Sequence, residues 1–193
     1  MAYAECISNE EINTLPVGAF DGKIVVVEDK ESMKSAYAHL SRNRFIGFDT
    51  ETRPAFQKGR INKMALVQLC SADTAFLFRL NKIPLSKKMI SLFENDKILK
   101  IGASIRDDIK GIQKQTPFTP GGFVDIQSIV GDYGIKELSV RKVSAIVLGI
   151  RVSKAQRLSN WEAQTLTPAQ QLYAATDAWT CREIYLKLTG HTP

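Results

Sequence analysis

The stretch Phe45-Ile46-Gly47-Phe48-Asp49-Thr50-Glu51 governs how the rest of the chain is read. Its first four residues are apolar or small, as in a strand buried inside an α/β sheet, and it then runs directly into acids. With the two-residue period of a strand, Asp49 and Glu51 point to the same face. They sit where a buried strand leaves its sheet, the usual place for a site in α/β architectures. Two carboxylates held side by side repel, and each resists ionising unless a cation is present. A lone D-x-E is a weak signal, since acids also decorate exposed strand ends, so the rest of the chain has to decide.

Working outward, Ser8-Asn9-Glu10-Glu11 reads as a capping box opening a short N-terminal helix. Lys23–Val27 is expected as a strand and Lys30–Arg42 as a helix. Met64–Cys70 and Ala75–Phe78 are expected as strands around the turn-like Ser71-Ala72-Asp73. Ile98–Ile101 is a further short strand, and a helix follows from about Ile105 to Gln115. Thr116–Gly122, with two prolines and two glycines, is a loop. A short helix around Ile126–Val130 and another over Lys136–Leu148, stopped by Gly149, come next. In the last helix Thr167 can cap, Pro168 suits the first turn and Gln170 completes a capping box, with the helix running to about Leu188. Early strands, later helices and a long closing helix predict one α/β domain, a mixed central sheet with helices packed against it. Residues 1–22 read as an extension with a short helix, and 23–190 as the domain.

The chain has 193 residues, 44% hydrophobic and 24% charged, enough to bury a core without a disulfide or metal staple. With 26 Lys and Arg against 20 Asp and Glu, its net charge of +6 permits a phosphate-rich partner without demanding one. Only two histidines are present, His39 and His191, so a Ser-His-Asp triad or a His-ligated zinc has almost no material. Three cysteines with no C-x-x-C argue against a disulfide framework and a zinc finger, and read as small buried hydrophobes. His39 and Met64 read as structural. No apolar run approaches the ~18 residues of a membrane span, and Met1–Glu11 lacks a basic-then-apolar signal pattern. A cytoplasmic location without membrane contact is expected, and any chemistry should rest on carboxylates.

Two more positions supply them. In Ile101-Gly102-Ala103-Ser104-Ile105-Arg106-Asp107-Asp108-Ile109, Ser104 as N-cap would put Asp107 at the third helical position, a structural role. Asp108 instead falls beside the stripe of Ile105, Ile109 and Ile112, where a charge is costly without a partner. In Leu172-Tyr173-Ala174-Ala175-Thr176-Asp177, Tyr173 and Asp177 share a helix face that continues through Cys181, Ile184 and Leu188. A second apolar stripe, Leu172, Ala175, Trp179 and Leu186, lies opposite, so this helix is expected to be sandwiched. Four carboxylates and no nearby His or Cys ligand set suit Mg²⁺ or Mn²⁺.

The three segments F-D-T-E at 48–51, I-G-x-x-I-x-x-D at 101–108 and L-Y-A-A-T-D at 172–177 resemble the three motifs of the DEDD superfamily of 3′–5′ exonucleases. Tyr173, four residues before Asp177, is similar to the mark of the DEDDy branch. Ser159-Asn160-Trp161 resembles the Werner-type exonuclease domains, with ribonuclease D a more distant likeness. The resemblance covers about Lys23 to Leu188. It implies a ribonuclease H-like fold and a two-metal site of Asp49, Glu51, Asp108 and Asp177. By the same likeness Asp49 bridges the ions, Glu51 and Asp177 complete the tighter site, Asp108 acts largely through water, and Tyr173 orients the attacking water. The implied partner is nucleic acid with a free 3′ end. A chain this short is expected to lack the helical domains of full-length ribonuclease D, which tilts the expectation toward DNA. Ribonuclease D-like RNA trimming or a non-cutting nucleic-acid-binding module are the alternatives.

Two basic stretches flank these acids, Arg53–Lys63 and Arg151–Arg157. Arg53, Lys58, Arg60, Lys154 and Arg157 are candidates for holding phosphates, a grip that weakens as salt rises. Phe56 or Trp161 can stack on a terminal base, although Trp161 equally suits core packing.

Overall fold

The computed structural model describes residues 2–55 and 62–192. Six strands form one sheet: β1 (Lys23–Val27), β2 (Phe45–Thr52), β3 (Met64–Cys70), β4 (Thr74–Arg79), β5 (Leu99–Gly102) and β6 (Phe123–Asp125). Their order is β1-β4-β3-β2-β5-β6. The central β2-β3-β4 meander is antiparallel, whereas β1 joins β4 in parallel and β5 and β6 continue in parallel beyond β2. The helices are α1 (Asn9–Thr14), α2 (Lys30–Leu40), α3 (Lys87–Phe93), α4 (Arg106–Gln115), α5 (Val140–Leu148) and α6 (Pro168–Thr189). The mixed α/β sheet expected from the sequence is therefore present. No described helix is long and apolar enough to cross a membrane.

The alternation of β2 decides which side the acids take. Ile46 and Phe48 join the core that Met33, Leu40, Phe93 and Ile112 build beneath α2, α3 and α4. Gly47 faces the other way, against α6. A Cβ at Gly47 would lie 2.0 Å from the carbonyl oxygen of Ala178, so only glycine lets the strand and helix come this close. Asp49 and Glu51 follow Gly47 on the α6 side.

Helix α6 starts as its signals predict: the Thr167 side chain accepts from the Gln170 N–H, and the Gln170 side chain accepts from the Thr167 N–H at 3.0 Å. Ala174, Ala175 and Ala178 press on the sheet, and Cys181, Ile184 and Leu188 meet the α5 side. The helix is sandwiched as the two stripes implied, although Leu172 itself is exposed.

Several boundaries differ for physical reasons. Helix α5 begins at Val140 rather than Lys136, because Ser139 caps it by accepting from the Lys142 N–H at 3.4 Å. The segment read as a helix around Ile126–Val130 is two 3-10 turns, Ile126–Ser128 and Val130–Tyr133. Helix α3 and strand β6 are additional elements. The first is tied down from a distance: buried Lys100 donates from Nζ to the carbonyls of Leu92, Asn95 and Ile98 at 2.7–3.1 Å.

Ser104 is not the cap of α4. The N-cap is Ile105, without a side-chain cap bond, and Ser104 adopts a left-handed backbone with φ of 56°. Asp125, at the end of β6, takes over the capping task. Its carboxylate accepts from the backbone N–H of Ser104 at 3.1 Å and of Ile105 at 3.2 Å. Of the cysteines, Cys70 and Cys181 are buried as expected, but Cys6 is exposed, because it lies in the N-terminal segment outside the core.

Candidate active site

Three carboxylates converge at the end of β2. Asp49 and Glu51 from the strand and Asp177 from α6 bring oxygens within 4.8 Å of one another. Asp108 arrives from the α4 side and is held there by the Thr50 hydroxyl, which donates to it. Thr50 lies between the two acids and points to the opposite face, so Asp108 meets the strand end on the side away from Asp49 and Glu51. Three of the four acids suggested by the sequence thus cluster at the end of β2, and the fourth, Asp108, is held beside them through Thr50.

Their electrostatics bear the mark of crowding. Burial, then the charges of Asp177, Glu51 and Asp108, pushes the Asp49 carboxyl well above the usual range. Glu51 is raised to about 8, first by burial and then by Asp177 and Asp108. Burial lifts Asp177 to about 7, against the Tyr173 hydrogen bond and the Lys154 charge, which lower it. Asp108 is raised by burial, with the Thr50 hydroxyl pulling the other way. A nest of carboxyls that resists ionisation is chemically matched to hard divalent cations, which favour oxygen donors and supply the missing positive charge. The donor set fits such ions, with Asp49, Glu51 and Asp177 closest together.

Tyr173 stands one helical turn before Asp177. Burial, followed by the charges of Asp177 and Glu51, raises its phenol far above ordinary tyrosine, so it keeps its proton at neutral pH. Its ring is backed by Trp161, centroid to centroid 6.0 Å.

A cavity of about 170 Å³ opens onto Asp49, Tyr173 and Asp177, and Lys154 and Arg157 line it. A second, of about 670 Å³, opens onto Asp108 and is lined by Asn62, Lys63 and Lys114. Basic residues therefore border the acids on both sides. Lys63 closes the basic stretch noted in the sequence, whereas Lys114 was not singled out, since a solvated lysine looks the same there. Arg53 lines neither cavity, and its guanidinium pairs with Glu162 at 3.4 Å. Lys58, Arg60 and Phe56 lie outside the described residues.

Trp161 has no exposed surface and is not placed to stack on a base. It fills the core with Leu66, Leu77, Leu166 and Ala174, which corrects its assignment to substrate binding. The loop carrying it is clamped by buried Arg79, which donates to the carbonyl oxygens of Ala163 and Gln164 and pairs with Glu28 at 2.8 Å. The N-terminal segment braces the neighbouring basic stretch: Arg151 N–H donates to the Pro16 carbonyl at 2.9 Å, and Gly18 N–H to the Arg151 carbonyl at 3.0 Å. Neither Arg79 nor this brace left a local sequence signal, because both depend on contacts far apart in the chain.

A family model described as a 3′–5′ exonuclease matches residues 24–192. Over 188 residues the chain is 30% identical to the bifunctional 3′–5′ exonuclease/ATP-dependent helicase WRN of Mus musculus, covering 91% of this chain and 13% of that protein. It is 26% identical over 188 residues to a ribonuclease D of Bartonella henselae, covering 93% of this chain and 44% of that protein. The chain thus spans less than half the length of either relative. The EXO domain of Aedes aegypti Nibbler superposes with a TM-score of 0.80 at 22% identity, over 90% of this chain and 92% of that one. Ribonuclease D of Escherichia coli superposes at 0.77 with 19% identity, over 88% and 44%. Likeness at those identities establishes a shared fold, the ribonuclease H-like exonuclease architecture.

Proposed function

Because the chain belongs to the 3′–5′ exonuclease family, hydrolases of nucleic acid, we propose that it releases nucleotides one at a time from a free 3′ end. The observation that carries this reading is the cluster of Asp49, Glu51 and Asp177 oxygens within 4.8 Å, with Asp108 held beside it. These four side chains would hold two divalent ions, Mg²⁺ or Mn²⁺. Bound ions of this kind supply Lewis acidity, stabilising both the attacking and leaving oxygens of an in-line phosphodiester displacement.

The remaining tasks fall to the protein. Tyr173, one helical turn before Asp177 and lining the same cavity as Asp49, is placed to orient the attacking water. Lys154 and Arg157, lining the cavity over Asp49 and Asp177, bind backbone phosphates and draw the strand end inward.

The test is digestion of 5′-labelled oligonucleotides by the purified chain, with Mg²⁺, Mn²⁺ or EDTA. A ladder shortening from the 3′ end, abolished by EDTA, by Asp49→Ala and by Asp177→Ala in folded variants, is expected. Near-wild-type activity in either variant with purified metal overturns the assignment. Matched DNA and RNA strands are run side by side. We put DNA first, on the higher identity to a relative not named a ribonuclease, and RNA second, on the likeness to ribonuclease D across 93% of the chain.

A further inference from the structure

Strand β3 is buried along its entire length, and one residue in it breaks the apolar run. Gln68 has no exposed surface, and neither its amide nitrogen nor its amide oxygen has a hydrogen-bond partner among the described residues. Buried polar groups are almost always paired, so an amide orphaned at both atoms calls for a reason. A leucine or methionine would fill the same space at no such cost.

The sheet register supplies the reason. Gln68 is directly opposite Asp49 on β2 and opposite Leu77 on β4. Opposed residues in an antiparallel pair project from the same face, with Cβ atoms about 4.5–5.5 Å apart. That face is the α6 side, since Gly47, two residues before Asp49, touches Ala178, and Leu77 packs with Ala174. The neighbours of Gln68 on this face of its own strand, Leu66 and Cys70, offer no strong acceptor. The carboxyl of Asp49 is the polar side chain across the strand pair.

We propose that Gln68 is a positioning residue for Asp49, its side-chain N–H holding the Asp49 carboxylate in its ligating orientation when divalent cations occupy the cluster. The inference rests on the cluster being a metal site, as proposed above. Ligating carboxylates carry lone pairs beyond those given to the ion, and outer groups that donate hydrogen bonds to them fix the carboxylate's direction. Gln68 has two N–H donors, and it faces Asp49 from a strand that cannot shift without slipping the sheet.

The experiment compares wild type, Gln68→Met and Gln68→Leu by Mn²⁺ calorimetry and by melting in EDTA. Mn²⁺ affinity should fall by about 10–100-fold in both variants. The EDTA melting temperature should stay level or rise, because an unpaired amide has been removed from the core. Excess Mn²⁺ should restore turnover. Mn²⁺ affinity within twofold of wild type overturns the proposal, as does failure of both variants to fold, which would make Gln68 a residue the fold itself requires. Asp49→Ala, measured alongside, separates the two levels: if it too binds Mn²⁺ normally, the metal-site reading falls, and the role of Gln68 with it.

Discussion

Replacing Glu51 by Gln should make the metal-free protein more stable, and increasingly so as pH rises. Burial and the charges of Asp177 and Asp108 move the Glu51 carboxyl from 4.5 to about 8, and no hydrogen bond in the fold opposes them. Between those values the folded state holds a proton that the unfolded state has released. Stability therefore falls as pH rises through this window, and the whole penalty is present above it. The difference between 4.5 and 8 corresponds to about 5 kcal/mol. Two full charges at 4.8 Å, the outer limit of the cluster, repel by about 3–4 kcal/mol at an effective dielectric of 20. Solvent at the half-buried carboxyl reduces the net effect to about 2–3 kcal/mol. For a chain of this size each kcal/mol moves the melting temperature by about 2–4 °C, so Glu51→Gln should melt about 5–10 °C above wild type at pH 9 in EDTA. At pH 4.5 the gap should nearly close, because wild-type Glu51 is then protonated in the fold. Adding Mn²⁺ should reverse the order, since the wild type gains binding energy that the variant lacks. Differential scanning calorimetry in EDTA at the two pH values decides it. A variant that melts below wild type at pH 9, or by the same offset at both values, refutes the crowding argument.

Trp161→Ala should cost about 3–5 kcal/mol in urea unfolding, the price of emptying a core site. An unchanged unfolding midpoint with weakened oligonucleotide binding would return Trp161 to the substrate surface. Lys154→Ala combined with Arg157→Ala should lower the slope of log affinity against log salt by about 1.4 on a single strand, two phosphate contacts' worth, read by fluorescence anisotropy in EDTA. An unaltered slope removes both residues from the grip.

The parts of this fold that were legible in the sequence are those whose cause is local. The capping boxes at Ser8 and Thr167 announce their helices, and the apolar run into Asp49 fixes both the strand and its exit. The four acids and Tyr173 stood out because each lies at a set phase within a short element. What stayed hidden depends on contacts between distant segments. Ser104 has the side chain of a cap, but Asp125, 21 residues on, takes that role and leaves Ser104 in a left-handed turn. Strand β6 is three residues long and exists only because β5 offers it an edge. Trp161 follows a polar Ser-Asn pair, which suggests a surface loop, yet Arg79 pulls that loop onto the sheet and buries the indole.

Several departures from ordinary packing share one place. Four raised carboxyls, a left-handed serine where α4 begins and a doubly unpaired buried glutamine all gather near the exits of β2 and β5. Each is destabilising in the metal-free chain, and a sequence selected for stability alone would replace the glutamine with leucine and one of the acids with an amide. Strain persists where the surrounding structure over-determines it and where function uses it. The rest of the fold supplies the support: capped helices, an apolar sheet, a buried Arg79 paired with Glu28 and a buried Lys100 bonded to backbone carbonyls. That surplus allows four acids to stay crowded at one strand end, and it explains why divalent cations should raise stability most in the variants that keep all four.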